Sequence, residues 1–279
     1  MIPKIIHYCW FGRNPLPEEF QSYINEWKRI CPDFDIMCWD EKTFDVFNSI
    51  PFVQEAYQKQ KYAFVADYVR MYAIYNYGGI YMDTDIKLLK RLDEFLTFGF
   101  FTAMEYHDDN VRLLNVESKL TPKGYRKNTN EFIYDICIES SIFGAQKEHP
   151  FVLDCLNYYQ DKNFILPDGS LYDTIIVPVI MAVCAEKYGF RYVNEQQVLD
   201  GDMHLFPDDY FTHPKKATNN TYALHMVKNS WKKFSTKQKI YAALAQNSIL
   251  KSIYNKLSNY SIFQLFFDNI QKKTWLQRN

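Results

Sequence analysis

Asp83 and Asp85 are the residues of this chain whose types and spacing point most directly to chemistry. They close the segment Gly78-Gly79-Ile80-Tyr81-Met82-Asp83-Thr84-Asp85. In an extended chain, residues two apart project to one side. Both carboxylates are therefore expected to face one point just past a short apolar strand at 80–82, where open α/β sheets bind ligands. Two carboxylates aimed together repel unless positive charge lies between them. A hard divalent cation fills that role, and Mg²⁺ or Mn²⁺ commonly takes one or two carboxylates plus phosphate oxygens. Alone, the pair also fits a solvated acidic turn, so the elements around it decide.

The preceding residues, 62–77, read YAFVADYVRMYAIYNY, with Asp67, Arg70 and Asn76 strongly polar. A surface helix shows a polar face at helical period. This segment shows none, which predicts a helix buried nearly all round. Asp67 and Arg70 are three apart and share a face. On an exposed helix that spacing is an ordinary ion pair worth about 0.2–0.5 kcal/mol. On an apolar helix buried charges are costly unless paired or engaged by a ligand, so the pair is expected to face a polar cavity.

Strand and helix signals alternate along the chain, which predicts an α/β class. Strands are expected at 4–11, 35–39, 80–82, 98–104, 136–145 (with a turn at Gly144) and 222–226. Helices are expected at 17–30, ending before Pro32, at 44–47, from 53 onward, at 151–160 and at 173–188. Residues 105–131 read as a long aperiodic loop. Neither G-x-G-x-x-G nor G-x-x-x-x-G-K-[ST] occurs, so the glycine-rich phosphate loops are excluded.

The hydrophobic content of 47% suits a normal core for a 279-residue chain. Aromatic residues make up 18%, enough both to fill a core and to line a sugar pocket. Net charge is −1 but unevenly spread: residues 228–279 hold ten Lys or Arg against one acid, Asp268. Six scattered cysteines (Cys9, Cys31, Cys38, Cys137, Cys155, Cys184) form no C-x-x-C pair, which argues against a zinc site and for reduced thiols in a cytoplasmic protein. The first twelve residues read as a strand rather than a signal peptide. The longest apolar run, 175–185, holds eleven residues and contains Pro178, too short to span a bilayer.

Three blocks carry a resemblance. Ala66-Asp67-Tyr68-Val69-Arg70 with Tyr77-Gly78-Gly79-Ile80-Tyr81-Met82-Asp83-Thr84-Asp85 resembles the core signature of the glycosyltransferases with a DXD sugar-binding motif, family 32. That family includes capsular and lipopolysaccharide transferases and yeast initiating mannosyltransferases, and is distantly related to clostridial glucosylating toxins. Ile2-Pro3-Lys4-Ile5-Ile6-His7-Tyr8-Cys9-Trp10-Phe11-Gly12 is similar to the family's first strand. His225-Met226-Val227-Lys228-Asn229-Ser230-Trp231 is similar to its late H…SW element.

The resemblance implies a GT-A fold, a mixed sheet flanked by helices, over residues 1–231. A basic helical extension would follow at 232–279. It further implies transfer, with retention, of a hexose or N-acetylhexosamine from a nucleotide-diphosphate sugar, a UDP-sugar for preference. The acceptor would be a glycan or lipid-linked glycan of a surface polysaccharide, with no nucleic-acid partner. Mn²⁺ or Mg²⁺ would bridge the diphosphate. Asp85 would be the more direct metal ligand, with Asp83 touching sugar, ribose or metal-bound water and His225 the third ligand candidate. A structural histidine at a strand end is the alternative for His225. Cys9 and Trp10 match positions that contact the base, although Trp10 also suits a core. Tyr62 and Tyr81 lie near the nucleotide, Asp67 and Arg70 hold sugar hydroxyls, and Ser230 and Trp231 close over the phosphates, with Lys228 and Lys232 adding positive charge. Where the family carries Thr-Gly-Pro near the acceptor, this chain has Asp173-Thr174-Ile175-Ile176-Val177-Pro178. Glu139, Ser140 and Ser141 are candidate acceptor-side groups. No carboxylate stands out as a nucleophile, which favours a front-face route in which the leaving phosphate takes the acceptor's proton.

The basic end combines Ile240, Leu244, Leu250, Ile253 and Leu257 at roughly helical spacing with several lysines, then Phe263, Phe266, Phe267 and Trp275. Such composition suits an anionic membrane surface at the cytoplasmic face, and equally a helical cap on the domain or a second subunit. Two other activities compete with the transferase. A haloacid-dehalogenase-type phosphatase also uses D-x-D after a strand but wants Thr or Val where this chain has Lys87. An inactive sugar-nucleotide-binding scaffold is disfavoured by the intact Asp67, Arg70, Asp83 and Asp85. A toxin-like protein glucosyltransferase would need delivery domains, of which nothing is visible.

Overall fold

The computed structural model describes residues 1–227. Ser230, Trp231, Lys228, Lys232 and the basic extension therefore lie outside the described residues. The first half of the chain alternates as expected: β1 (Ile5–Cys9), α1 (Glu18–Ile30), β2 (Asp35–Trp39), α2 (Pro51–Gln58), α3 (Tyr62–Tyr77), β3 (Gly79–Met82), β4 (Ile86–Leu88) and β5 (Phe100–Tyr106). Then follow α4 (Asp108–Leu113), β6 (Ile136–Ile138), β7 (Ile142–Ala145), α5 (Pro150–Gln160), α6 (Val177–Ala185), β8 (Gln197–Leu199), β9 (Met203–Phe206), β10 (Phe211–Thr212) and β11 (Ala223–His225).

Eight strands form a mixed sheet in the order β2-β1-β3-β7-β5-β9-β8, with β6 pairing with β5. The strands β2, β1 and β3 run parallel; β7 is antiparallel to both β3 and β5. A small sheet, β10-β11-β4, lies beside it. This is the helix-flanked mixed sheet that the resemblance implies. Side chains of β3 alternate between two cores: Tyr81 joins the one built with α2, α3, α5 and α6, while Ile80 and Met82 join the one that holds Ile24 and Trp27 of α1.

Helix α3 is buried on most of its circumference, Asp67 and Arg70 included. It ends because Gly78 takes φ +66° while its N–H closes on the Ile74 carbonyl at 2.8 Å. Gly79 follows at φ +108°, where a Cβ would stand 2.6 Å from the Ile5 carbonyl oxygen. Only glycine lets β3 start this close to β1. Buried His7 fixes the same corner. Its Nδ1 accepts from the Trp39 indole at 3.1 Å, so its Nε2 donates to the Gly78 carbonyl at 2.8 Å. Burial holds the imidazole neutral, with its pKa down to about 4.

Several expectations need correction. Gly144 is not a turn: it lies inside β7, where a Cβ would meet Phe101 at 2.3 Å. The single strand expected at 136–145 is two, β6 and β7, broken at 139–141. The helix expected at 173–188 begins only at Val177, because Pro178 lacks an N–H and fits the first turn. The stretch at 44–47 is a short 3₁₀ turn, Val46–Asn48, rather than a helix. The loop expected at 105–131 contains α4, and buried Val111, Val116 and Leu120 anchor it in the main core.

Candidate metal and nucleotide-sugar site

Asp83, Thr84 and Asp85 form a tight turn between β3 and β4, closed by the Ile86 N–H on the Asp83 carbonyl at 3.1 Å. The carboxylates therefore converge through a turn, not by the alternation of an extended strand. Two non-local contacts hold this turn. The Asp83 N–H donates to the Ser141 carbonyl at 2.8 Å, and the Trp27 indole donates to the Ile86 carbonyl at 2.9 Å. Strand β11 pairs antiparallel with β4, placing His225 opposite Ile86, and the Met226 N–H closes on the Asp85 carbonyl at 3.0 Å.

The result brings one ligand atom each of Asp83, Asp85 and His225 within 4.8 Å of one another. The His225 Nε2 lies 3.4 Å from Asp85 Oδ1. Two carboxylate oxygens and an imidazole, each partly open to solvent, are a donor set suited to a divalent cation of the Mg²⁺ or Mn²⁺ kind. Burial disfavours the charged form of His225, but Asp85, Glu139 and Asp83 outweigh it and raise the pKa to about 9. Without a metal, the imidazolium itself serves as the countercharge of the acidic cluster.

Behind the turn, Arg70 organises the buried side. One guanidinium nitrogen lies 3.0 Å from Asp67 Oδ1 and 3.5 Å from Asp83 Oδ1. The other donates to the Ser140 carbonyl at 2.8 Å. The guanidinium also sits over the Tyr81 ring, 4.6 Å from its centroid, and the Tyr81 hydroxyl donates to Asp83 Oδ1 at 2.7 Å. Asp67 is pushed up to about 6 by burial, which Arg70 opposes and Asp83 reinforces. Burial likewise pushes the Cys9 thiol up, so it is a neutral neighbour of Arg70 and Asp83 and no thiolate nucleophile.

Of the residues expected at the site, Cys9, Asp67, Arg70, Tyr81, Asp83, Asp85 and His225 are thus brought together. Trp10 follows β1 and is half-buried; its indole donates to the Asn14 carbonyl at 2.7 Å and its ring meets Phe20 edge-on. Tyr62 opens α3, its ring against Tyr57 and directly over Gly12. These two stand where the chain leaves β1. The sequence undervalued the 139–141 segment. Its carbonyls hold Arg70 and Asp83, and Glu139, buried and raised by that burial and by Glu105, is one of the groups that charge His225.

Residues 17–100, which include Asp67, Arg70, Asp83 and Asp85, match the family model described as the glycosyltransferase sugar-binding region containing a DXD motif. The chain carries a DXD glycosyltransferase region. Among curated relatives, an uncharacterised glycosyltransferase of Acanthamoeba polyphaga mimivirus is 38% identical over 121 residues, 41% of this chain and 48% of the relative. A mannosyl phosphorylinositol ceramide synthase of Saccharomyces cerevisiae is 25% identical over 241 residues, 83% of this chain and 53% of the relative. The chain spans about half the length of these two relatives. Among solved structures, a galactosyltransferase crystallised with donor and acceptor sugar analogues aligns at TM-score 0.45 and 10% identity, covering 89% of this chain and 95% of its own. No helix of the described residues is long and apolar enough to cross a membrane.

Proposed function

We propose that this DXD glycosyltransferase region transfers a hexose or N-acetylhexosamine from a nucleotide-diphosphate sugar, with Mn²⁺ or Mg²⁺ held by Asp83, Asp85 and His225. The observation that carries the reading is the convergence of those three side chains within 4.8 Å, beside a buried Arg70. In such a transfer the anomeric carbon parts from a diphosphate oxygen and bonds to the acceptor oxygen, and the acceptor's proton ends on the leaving diphosphate. A bound divalent ion supplies positive charge for that leaving group.

The chain's own residues do the rest. Tyr81 orients the Asp83 carboxylate through its hydroxyl, and Arg70 balances the charge of Asp67 and Asp83. Asp67 is available to accept from sugar hydroxyls. Trp10 and Tyr62, at the β1 end, are the proposed base-side contacts. UDP is the nucleotide of first choice; the mannose named in several relatives makes GDP the second to test. The proposed acceptor is a hydroxyl of a glycan or lipid-linked glycan, with reaction at the cytoplasmic face of a membrane approached through the basic end of the chain. Retention by a front-face route agrees with a site whose carboxylates are engaged in ion pairs and hydrogen bonds.

A donor screen tests this. Purified protein with Mn²⁺ is incubated with UDP- and GDP-hexoses and slow hydrolysis is followed. The reading expects one donor to be consumed, and expects Asp85→Asn to abolish the signal while leaving the fold intact. Equal hydrolysis by the variant would refute it.

A further inference from the structure

Strand β11 carries His225 and has a neighbour on each side: β4, which follows the acidic turn, and β10. β10 runs parallel to β11, with Phe211 beside Ala223 and Thr212 beside Leu224. The next residue, His213, is still extended, at φ −74° and ψ 147°. The register therefore runs one step further and sets His213 beside His225. Residues two apart in a strand share a face, so His213 follows Phe211 as His225 follows Ala223. Phe211 and Ala223 are buried in the core that holds Ile24 and Trp27, and the two histidines lead that face out toward solvent.

The two imidazoles offer different chemistry. His225 brings its Nε2 to Asp85 and belongs to the cation site. His213 Nδ1 accepts the Lys215 N–H at 3.3 Å, where the chain enters the 3₁₀ turn Pro214–Lys216. With Nδ1 so engaged, the neutral ring keeps its proton on Nε2. A cation needs a lone pair there, whereas an N–H suits an oxygen of an anion. His213 is exposed and so reachable, and Lys215 is exposed on the same corner. Burial of part of the ring, then the charges of Lys215 and of His225, lower its pKa from the ordinary 6.5, so His225 is within its electrostatic reach. In the sheet, His213 stands on the side of β11 away from β4 and its carboxylate turn, where an anion meets less repulsion. Neighbouring strands lie about 4.8 Å apart, so a diphosphate on a cation held by His225 comes within reach of the next imidazole.

We infer that His213 donates its Nε2–H to an oxygen of the donor's diphosphate and so holds the leaving group from the side opposite Asp85. This role rests on the nucleotide-sugar reading above and adds to it a residue that touches the substrate.

Calorimetric binding of Mn²⁺ alone, and of UDP and GDP with Mn²⁺, tests it on two variants of the full chain. His213→Asn keeps an acceptor for the Lys215 N–H but has no donor at the Nε2 position. His213→Gln supplies an amide N–H near that position and gives up the acceptor. Both change an exposed side chain and should melt with wild type. His213→Asn is expected to bind the preferred diphosphate about tenfold more weakly, the lower range for a hydrogen bond to a charged group, with affinity for Mn²⁺ alone within about twofold of wild type. His213→Gln should recover most of that loss. Three outcomes overturn the inference: His213→Asn binds the diphosphate as tightly as wild type, it loses Mn²⁺ alone to the same degree, or His213→Gln is as weak as His213→Asn. A wild type that takes up Mn²⁺ but neither diphosphate refutes the nucleotide-sugar reading, and the role of His213 with it.

Discussion

Removing the guanidinium of Arg70 should destabilise the protein by an amount that depends on pH in a definite direction. Arg70 and Asp67 are both buried, with side chains 7% and 12% exposed and 3.0 Å apart. Arg70→Leu leaves Asp67 without its countercharge, at a cost of about 3–5 kcal/mol while that carboxyl stays ionised. Asp83 adds little, because its side chain is 27% exposed and reaches water. Asp67 has one escape, protonation. Its pKa is already about 6 in the native protein, above the ordinary 3.8, and loss of Arg70 raises it further. A folded-state carboxyl raised above its unfolded value gains stability as pH falls. At pH 5 the carboxyl is protonated in wild type as well, so that cost is common to both proteins; above pH 6 the variant alone must keep the proton, at about 1.4 kcal/mol per pH unit. Urea unfolding at pH 8 and pH 5 should therefore show a gap between wild type and Arg70→Leu of about 3–5 kcal/mol at pH 8 that narrows by about 2–3 kcal/mol at pH 5. A gap below about 1 kcal/mol at pH 8, or one that does not change with pH, would show that Arg70 is not the countercharge of a buried Asp67.

His7 should impose the opposite pH slope. Its folded pKa, about 4, lies below the ordinary 6.5, so its contribution is complete above pH 6.5 and is lost as pH falls toward 4. The stability difference between wild type and His7→Asn should shrink by about 3 kcal/mol between pH 7 and pH 4, measured by urea unfolding; parallel curves would refute this. Gly79→Ala places a Cβ 2.6 Å from the Ile5 carbonyl at φ +108°. It should cost about 2 kcal/mol or more and lower the melting temperature by about 5 °C, and an unchanged melting temperature would mean the β1–β3 corner has room.

What the sequence revealed of this molecule was local. The buried helix, its glycine exit and the acidic turn lie within 24 consecutive residues, 62–85, so composition and spacing alone expose them. The ends of elements were less legible where one residue decides: Pro178 sets where α6 starts, and the run of apolar residues before it gives no sign of that. A lone glycine in a strand pattern signals either a turn or a close approach, and at Gly144 only the Phe101 ring across the sheet distinguishes them. Val111, Val116 and Leu120 follow no regular period, so a segment anchored at three points read as a loop. The roles of 139–141 were least visible. Arg70 bonds a carbonyl 70 positions away, and no side-chain pattern reports a carbonyl. His225 became a candidate through the resemblance, but its contact with Asp85 depends on β11 finding β4 across a separation that sequence period does not encode.

The central claim is that Asp83, Asp85 and His225 hold a divalent cation which meets a nucleotide's diphosphate. Crystals grown with Mn²⁺ and UDP or GDP, with diffraction recorded at the manganese edge, test it most directly. One anomalous peak bonded to those three side chains and to diphosphate oxygens is expected, absent in Asp85→Asn. A bound nucleotide with no peak there, or manganese bound elsewhere with His225 still paired to Asp85, would contradict it.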